Sequence, residues 1–272
     1  MTVCIGAVCE DGKMVIVATD RLWTNPYLSI EYEYPEPKIE RLSFNCVAAI
    51  AGSVVLPTEA FERVREEIGR KGIGNISEIA HSVKEEYIKE RKKRVDDDVF
   101  KPRGLTIEDF YRGGMQPTLN PDLVRRLDID LSEYRFDLEI LIGGVDKKGH
   151  LYVVFPPGRV EPFERIGYVS IGSGASHAEY TFILNGYTLK ATLYDALYTL
   201  YKAKKIAERA TGVGASTDIE IATEKGSLSV SDNIKEELES TYESELKIVA
   251  DKEQLLQKLK ETIKKFREVA KI

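Results

Sequence analysis

The sequence predicts an α+β fold: two antiparallel sheets packed face to face with a helical layer outside each, a four-layer αββα sandwich. Three observations carry this expectation. Apolar, β-branched runs come in blocks joined at turn sequences such as Asp11-Gly12 and Asp146-Lys147-Lys148-Gly149, as antiparallel hairpins require. Two pairs of helical patterns interrupt the blocks, so the coarse order is strands, two helices, strands, two helices, strands, helix. Paired helices after a block of strands argue for segregated layers rather than alternating βαβ units.

In chain order, Val3 to Val8 and Met14 to Ala18 read as a hairpin about Asp11-Gly12. Leu22 to Pro37 is irregular and aromatic, with a hairpin expected around Tyr27 to Tyr34. Lys38 to Leu42 opens another strand, and Phe44 to Ala51 is a nearly continuous apolar one that stops at Gly52-Ser53. Pro57 to Arg70 repeats apolar residues at helical spacing (Ala60, Phe61, Val64, Ile68), and a second helix is expected from Asn75 to Lys93. Residues 96–135 read as a connection of unusual length, rich in Pro and Gly, with a short helical piece near Asp122 to Leu127. Strands return at Asp137 to Val145, His150 to Phe155 and Ile166 to Ile171. Helices follow at Ala178 to Asn185 and Leu189 to Ala210, capped by Gly212 and Gly214. Ile219 to Ala222 and Ser227 to Val230 form the last hairpin. A further strand is expected at Leu246 to Val249. A helix is expected from Asp251, with Gln254 closing a capping box and an apolar stripe at Leu256, Leu259, Ile263, Phe266 and Ala270.

Composition narrows the function classes. The 272 residues are 43% apolar, enough for a sizeable core, and carry a net charge of −6 with both signs mixed. No basic stripe interleaves with aromatics, so nucleic acid is not an expected partner. The basic run Arg91-Lys92-Lys93-Arg94 is followed at once by Asp96, Asp97 and Asp98 and reads as a solvated helix end. No apolar stretch reaches 18 residues and no signal peptide is evident, so a membrane partner is not expected either. Cys4, Cys9 and Cys46 all lie in apolar runs and read as reduced core residues of a cytoplasmic protein. His81, His150 and His177 are scattered without metal-ligand spacing, so neither a metal nor another cofactor is expected.

The chemistry concentrates at the start of the chain. Removal of Met1 would give Thr2 a free α-amino group, making one residue both nucleophile and general base. The first hairpin brings the strand ending at Asp20 back beside Thr2, and a buried carboxylate near a chain terminus marks a candidate site. Gly52 permits close backbone approach, and a bare N–H there is a candidate oxyanion donor.

Six stretches, in order, resemble the proteasome β-type branch of the N-terminal nucleophile (Ntn) hydrolases, in a divergent archaeal-type form with an insertion. Thr2-Val3-Cys4-Ile5-Gly6 resembles the mature Thr-start strand, and Ala18-Thr19-Asp20-Arg21, with Thr24 three residues on, the acidic strand end. Pro37-Lys38-Ile39 resembles the segment of the catalytic lysine, and Ala49-Ile50-Ala51-Gly52 the strand whose glycine N–H forms the oxyanion hole. Ile171-Gly172-Ser173-Gly174 and the helix end from Glu208 to Gly212 resemble the segments that position the N-terminal amine. The likeness covers most of residues 2–230, apart from 96–135. It implies an Ntn-hydrolase domain over 1–230 and a C-terminal helical extension over 231–272.

The resemblance also implies roles. Thr2 Oγ attacks a carbonyl and its α-amino group, with a reference pKa of about 7.7–8.0, accepts the proton. Lys38 favours the deprotonated nucleophile and Asp20 pairs with Lys38. The Gly52 N–H receives the oxyanion, a donor typically worth roughly 3 kcal/mol. The Ser173 and Thr211 hydroxyls, with Glu208, orient the amine, and the backbone near Thr24 binds an extended substrate as an added strand. The implied activity is a threonine-type endopeptidase or amidohydrolase, cytoplasmic and homo-oligomeric, acting on peptide or protein substrates. Transfer of the acyl group to an amine, as by a peptide ligase, hydrolysis of a small amide, and a catalytically silent scaffold subunit are the alternatives on the same fold. The sequence has no P-loop, so any ATP-dependent unfoldase would be a separate partner.

Overall fold

The computed structural model describes residues 2–25, 30–52, 57–112, 120–134, 136–250 and 263–264. The chain divides into two compact units, Met1–Ser229 and Val230–Ile272. The first unit is mixed α+β with three antiparallel sheets among the described residues. Its strands are β1 (Cys4–Cys9), β2 (Met14–Thr19), β3 (Leu22–Asn25), β4 (Ile30–Glu33), β5 (Ile39–Ser43), β6 (Cys46–Gly52), β7 (Leu138–Val145), β8 (Gly149–Phe155), β9 (Arg159–Pro162), β10 (Tyr168–Ile171), β11 (Asp218–Thr223) and β12 (Gly226–Ser229). Its helices are α1 (Pro57–Lys71), α2 (Ile76–Val95), α3 (Ile107–Arg112), α4 (Pro121–Glu133), α5 (Ala175–Leu184) and α6 (Leu193–Ala207).

One five-stranded sheet runs β10-β1-β2-β11-β12, a second runs β5-β6-β7-β8-β9, and β3-β4 is a separate hairpin. The β1 and β6 runs are buried throughout their apolar length, which explains why both read as nearly continuous rather than alternating. One buried cluster joins both large sheets: Cys4, Val8, Val15 and Val17 from the first, Val47, Leu141, Leu151 and Val153 from the second. Gly143 makes that approach close, since a Cβ there would lie 2.8 Å from Val17 Cγ2. A second cluster packs β6, β7 and β8 against Phe61, Val64, Ile79, Val83 and Tyr87 of α1 and α2. On the first sheet, α6 lies against β1 and β2, and α5 against β10.

Several elements differ from expectation for identifiable reasons. The β1–β2 connection is a four-residue turn, Glu10–Lys13, in which Glu10 and Asp11 take φ of 52° and 55°, rather than a two-residue Asp-Gly turn. Strand β9 escapes a periodicity search because Val160 is its one aliphatic residue and Pro162 ends it, as suits a sheet edge. The 96–135 segment is more helical than expected. It carries α3, α4 and a π-turn at Asp96–Phe100, and its Val99, Phe100, Leu105, Phe110 and Leu127 gather a small core with Val95, the last residue of α2. The hairpin expected around Tyr27 to Tyr34 is β3–β4, with its centre outside the described residues.

The second unit holds α7 (Asp232–Ala250). It corrects the strand expected at Leu246 to Val249. Leu246 continues a four-residue apolar repeat, Ile234, Leu238, Tyr242, Leu246, so the short apolar run is the last turn of a helix. The helix expected from Asp251, its Gln254 cap and the stripe at 256, 259, 266 and 270 lie outside the described residues. Among the described residues no helix is long and apolar enough to cross a membrane.

Candidate active site

The N-terminal residues are positioned by strand register. Cys4 pairs with Thr19 on β2 and with Ile171 on β10, so the chain entering β1 lies between the ends of those two strands. The Asp20 N–H donates to the Val3 carbonyl at 3.3 Å, extending the hairpin by one residue. Lys38, just before β5, reaches this point from the second sheet. The Cys4 thiol donates to the Ile50 carbonyl at 3.2 Å, which places the end of β6 alongside the start of β1.

Three predicted residues converge. Thr2, Asp20 and Lys38 are 3%, 0% and 4% exposed. Lys38 Nζ donates to Thr2 Oγ1 at 2.6 Å, to Asp20 Oδ1 at 3.1 Å and to the Leu22 carbonyl. The Thr2 hydroxyl donates to Asp20 Oδ1. A buried hydroxyl that donates to a carboxylate while accepting from an ammonium is polarised toward its alkoxide. Asp20 is also a backbone organiser. Its Oδ1 accepts from the Val3 N–H at 3.1 Å, and its Oδ2 from the N–H groups of Leu22 at 3.1 Å and Gly214 at 2.9 Å.

The other side of Thr2 is held by the turn after β10. The Thr2 N–H donates to Ser173 Oγ at 3.2 Å. The Ser173 hydroxyl is within donating distance of two acceptors, the Thr2 carbonyl at 3.3 Å and the Thr211 carbonyl at 3.4 Å. The Gly174 N–H also donates to the Thr2 carbonyl, at 3.3 Å. Gly172 has φ +89°, and a Cβ there would sit 2.4 Å from the Thr2 carbonyl oxygen. Its N–H is fixed by Glu139 Oε2 at 3.0 Å. Gly172→Ala is therefore expected to displace Thr2 and to lower stability by about 1–3 kcal/mol from backbone strain alone. Thermal unfolding beside the wild type checks this, and an unchanged midpoint would contradict the placement.

The remaining expected residues fall as follows. Gly52 ends β6 with φ +112°, opposite Leu138, where a Cβ would collide with the Asp137 carbonyl oxygen at 2.0 Å. Thr24 lies on β3 opposite Glu31 of β4. Thr211 meets Ser173 through its carbonyl. Glu208 bonds away from the Thr2 amide: its carboxylate takes Lys204 Nζ at 2.6 Å and Lys205 Nζ at 3.2 Å. The contacts that sequence reasoning missed are mostly main-chain: Gly214 N–H, Leu22 N–H and Leu22 C=O. Gly214 reads in sequence as a helix cap, yet a Cβ there would lie 2.7 Å from Leu22 Cβ and 3.0 Å from Leu22 N.

Two clamps fix the β3–β4 hairpin beside the cluster. Arg21 grips Asp218 bidentately at 2.7 and 2.6 Å and donates to the Pro35 carbonyl at 2.9 Å. Glu33 Oε1 accepts the Ala215 N–H at 2.9 Å. Burial pushes the thiols of Cys4, Cys9 and Cys46 up, that of Cys9 to about 12, so none is poised as a thiolate nucleophile. Among the described residues no three His, Cys or carboxylate side chains converge as metal ligands. Comparison with protein-family models and with curated proteins finds no match for this chain.

Proposed function

We propose that the chain is an N-terminal threonine amidohydrolase that opens peptide or amide bonds through an acyl-enzyme on Thr2, built on the four-layer αββα sandwich of the Ntn hydrolases. One observation carries the reading. The buried Thr2 hydroxyl lies 2.6 Å from the buried Lys38 ammonium, which shares Asp20 with it. A structural core threonine has no need of an ammonium on its oxygen.

The reaction follows from the placement. After Met1 is removed, the Thr2 nitrogen becomes an amine that keeps its hydrogen bond to Ser173. Thr2 Oγ1 bonds to the substrate carbonyl carbon and its proton passes to that amine. The amine then protonates the departing nitrogen as the C–N bond breaks, leaving an ester on Thr2. Water, giving a proton to the amine, bonds to the ester carbon; the bond from that carbon to Thr2 Oγ1 breaks, the carboxylic acid leaves, and the amine returns the proton to Oγ1. The Gly52 N–H serves the oxyanion. Strand β3 pairs only with β4 among the described residues, so its other edge can accept an extended substrate at Thr24.

The test is the intact mass of the purified protein, followed by peptide mapping after exposure to a β-lactone, an acylating electrophile. Loss of one methionine and a single acyl adduct on Thr2 are expected. Retention of Met1 in every molecule would leave no general base and would end this reading in favour of a silent scaffold.

A further inference from the structure

The turn after α6 touches the Thr2 cluster twice. The Gly214 N–H holds Asp20 Oδ2 and the Thr211 carbonyl accepts from Ser173, the residue that receives the Thr2 N–H. That turn is irregular, so something must hold its shape. Lys204 occupies its interior with a side chain 0% exposed. All three of its ammonium protons are matched, by Glu208 Oε1 at 2.6 Å, the Gly214 carbonyl at 2.9 Å and the Ala215 carbonyl at 2.6 Å. A lysine that simply capped its own helix would bond the last helical carbonyls. Two of these acceptors lie ten and eleven residues further on, in the two peptides that directly follow the Gly214 N–H that feeds Asp20. Burial lowers the pKa of Lys204 while Glu208 opposes that shift, as befits an ammonium retained for its bonds.

We infer that Lys204 is a positioning residue for Thr2, setting the 208–215 turn so that one peptide orients Asp20 and another orients Ser173. This rests on the reading of Thr2 as the nucleophile, but its structural arm can be measured alone. Glu208 thereby acts on the site through Lys204 rather than by touching the amine.

The experiment compares wild type, Lys204→Met and Arg63→Met. Arg63 bonds Glu86 and Glu90 between α1 and α2 and controls for general loss of stability. Amide hydrogen exchange is read at Val3, Leu22 and Gly214, the three N–H groups that Asp20 accepts. Lys204→Met is expected to speed exchange at these three amides at least tenfold while leaving β6 to β8 protected, and Arg63→Met is expected not to. In the second arm, β-lactone inactivation of Lys204→Met should lose about ten- to hundredfold in maximal rate with unchanged half-saturation, the cost of a misplaced reacting group. Wild-type exchange at the three amides, or acceleration spread evenly over the protein, overturns the inference. If the wild type takes no label, the nucleophile reading falls and the exchange arm still decides Lys204. If Lys204→Met does not fold, Glu208→Gln replaces it. Faster exchange confined to the same amides supports the inference, and any other pattern overturns it.

Discussion

Thr2→Ala is expected to abolish β-lactone labelling and any amide turnover, a fall of roughly 10⁴-fold or more, the scale on which hydrolases lose rate when the nucleophile goes. The fold should survive. The substitution removes one hydroxyl that is hydrogen-bonded to Asp20 and Lys38, a loss of about 1–3 kcal/mol. Those two side chains still bond each other at 3.1 Å, so no buried charge is left alone. Thr2→Ser provides the complementary result. It keeps the hydroxyl but deletes the methyl that packs near Gly172, where an added Cβ would fall 3.1 Å from Thr2 Cγ2. Serine should therefore label at a reduced but measurable rate. The measurement is the second-order acylation rate of the three proteins, with the adduct located by peptide mapping. Labelling of the alanine variant at the wild-type rate would place the chemistry elsewhere and end the Thr2 reading.

The parts of the site legible in the sequence are those where residue type itself carries the chemistry. Thr2 is conspicuous after Met1, Asp20 ends an apolar strand, and Ser173 lies between two glycines in a turn. The structure brings these together with Lys38. Main-chain contacts leave no such trace: nothing in the letters of Leu22 or Gly214 says that one peptide takes Lys38 or that the other holds Asp20. Glu208 shows the opposite problem. Likeness to a helix end assigned it to the amine, whereas its spacing of four from Lys204 already gave an i,i+4 pair on one helix face. The sheets were readable because β1, β2, β6 and β7 are bounded by clear turns. Strand β9 and the last turn of α7 were not, one for want of apolar residues and the other because a short apolar run fits either state.

Asp20→Asn is expected to cost more stability than Lys38→Met, and combining them should not restore the fold. The pair is fully buried, with side chains 0% and 2% exposed. Removing one partner of a buried ion pair typically costs about 3–5 kcal/mol, because the other charge is stranded. In a simple pair, neutralising both would return most of that loss. Asp20 is more than a counter-ion: its two oxygens accept from Thr2 Oγ1, Lys38 Nζ and the N–H groups of Val3, Leu22 and Gly214. An asparagine turns one oxygen into a donor. In either orientation its NH₂ meets backbone N–H groups that have lost their acceptor, and no change at Lys38 relieves that. Lys38→Met, by contrast, leaves a carboxylate still bonded by four donors. Its stability loss should lie at the lower end of the range, while acylation of Thr2 falls at least a hundredfold for want of the ammonium. Urea unfolding of the wild type, the two single variants and the double variant separates the cases. The double variant is expected to remain at least as destabilised as Lys38→Met. Recovery to within about 1 kcal/mol of the wild type would reduce Asp20 to an ion-pair partner and remove it as the point where the first strand, the hairpin after it and the turn beyond α6 are tied together.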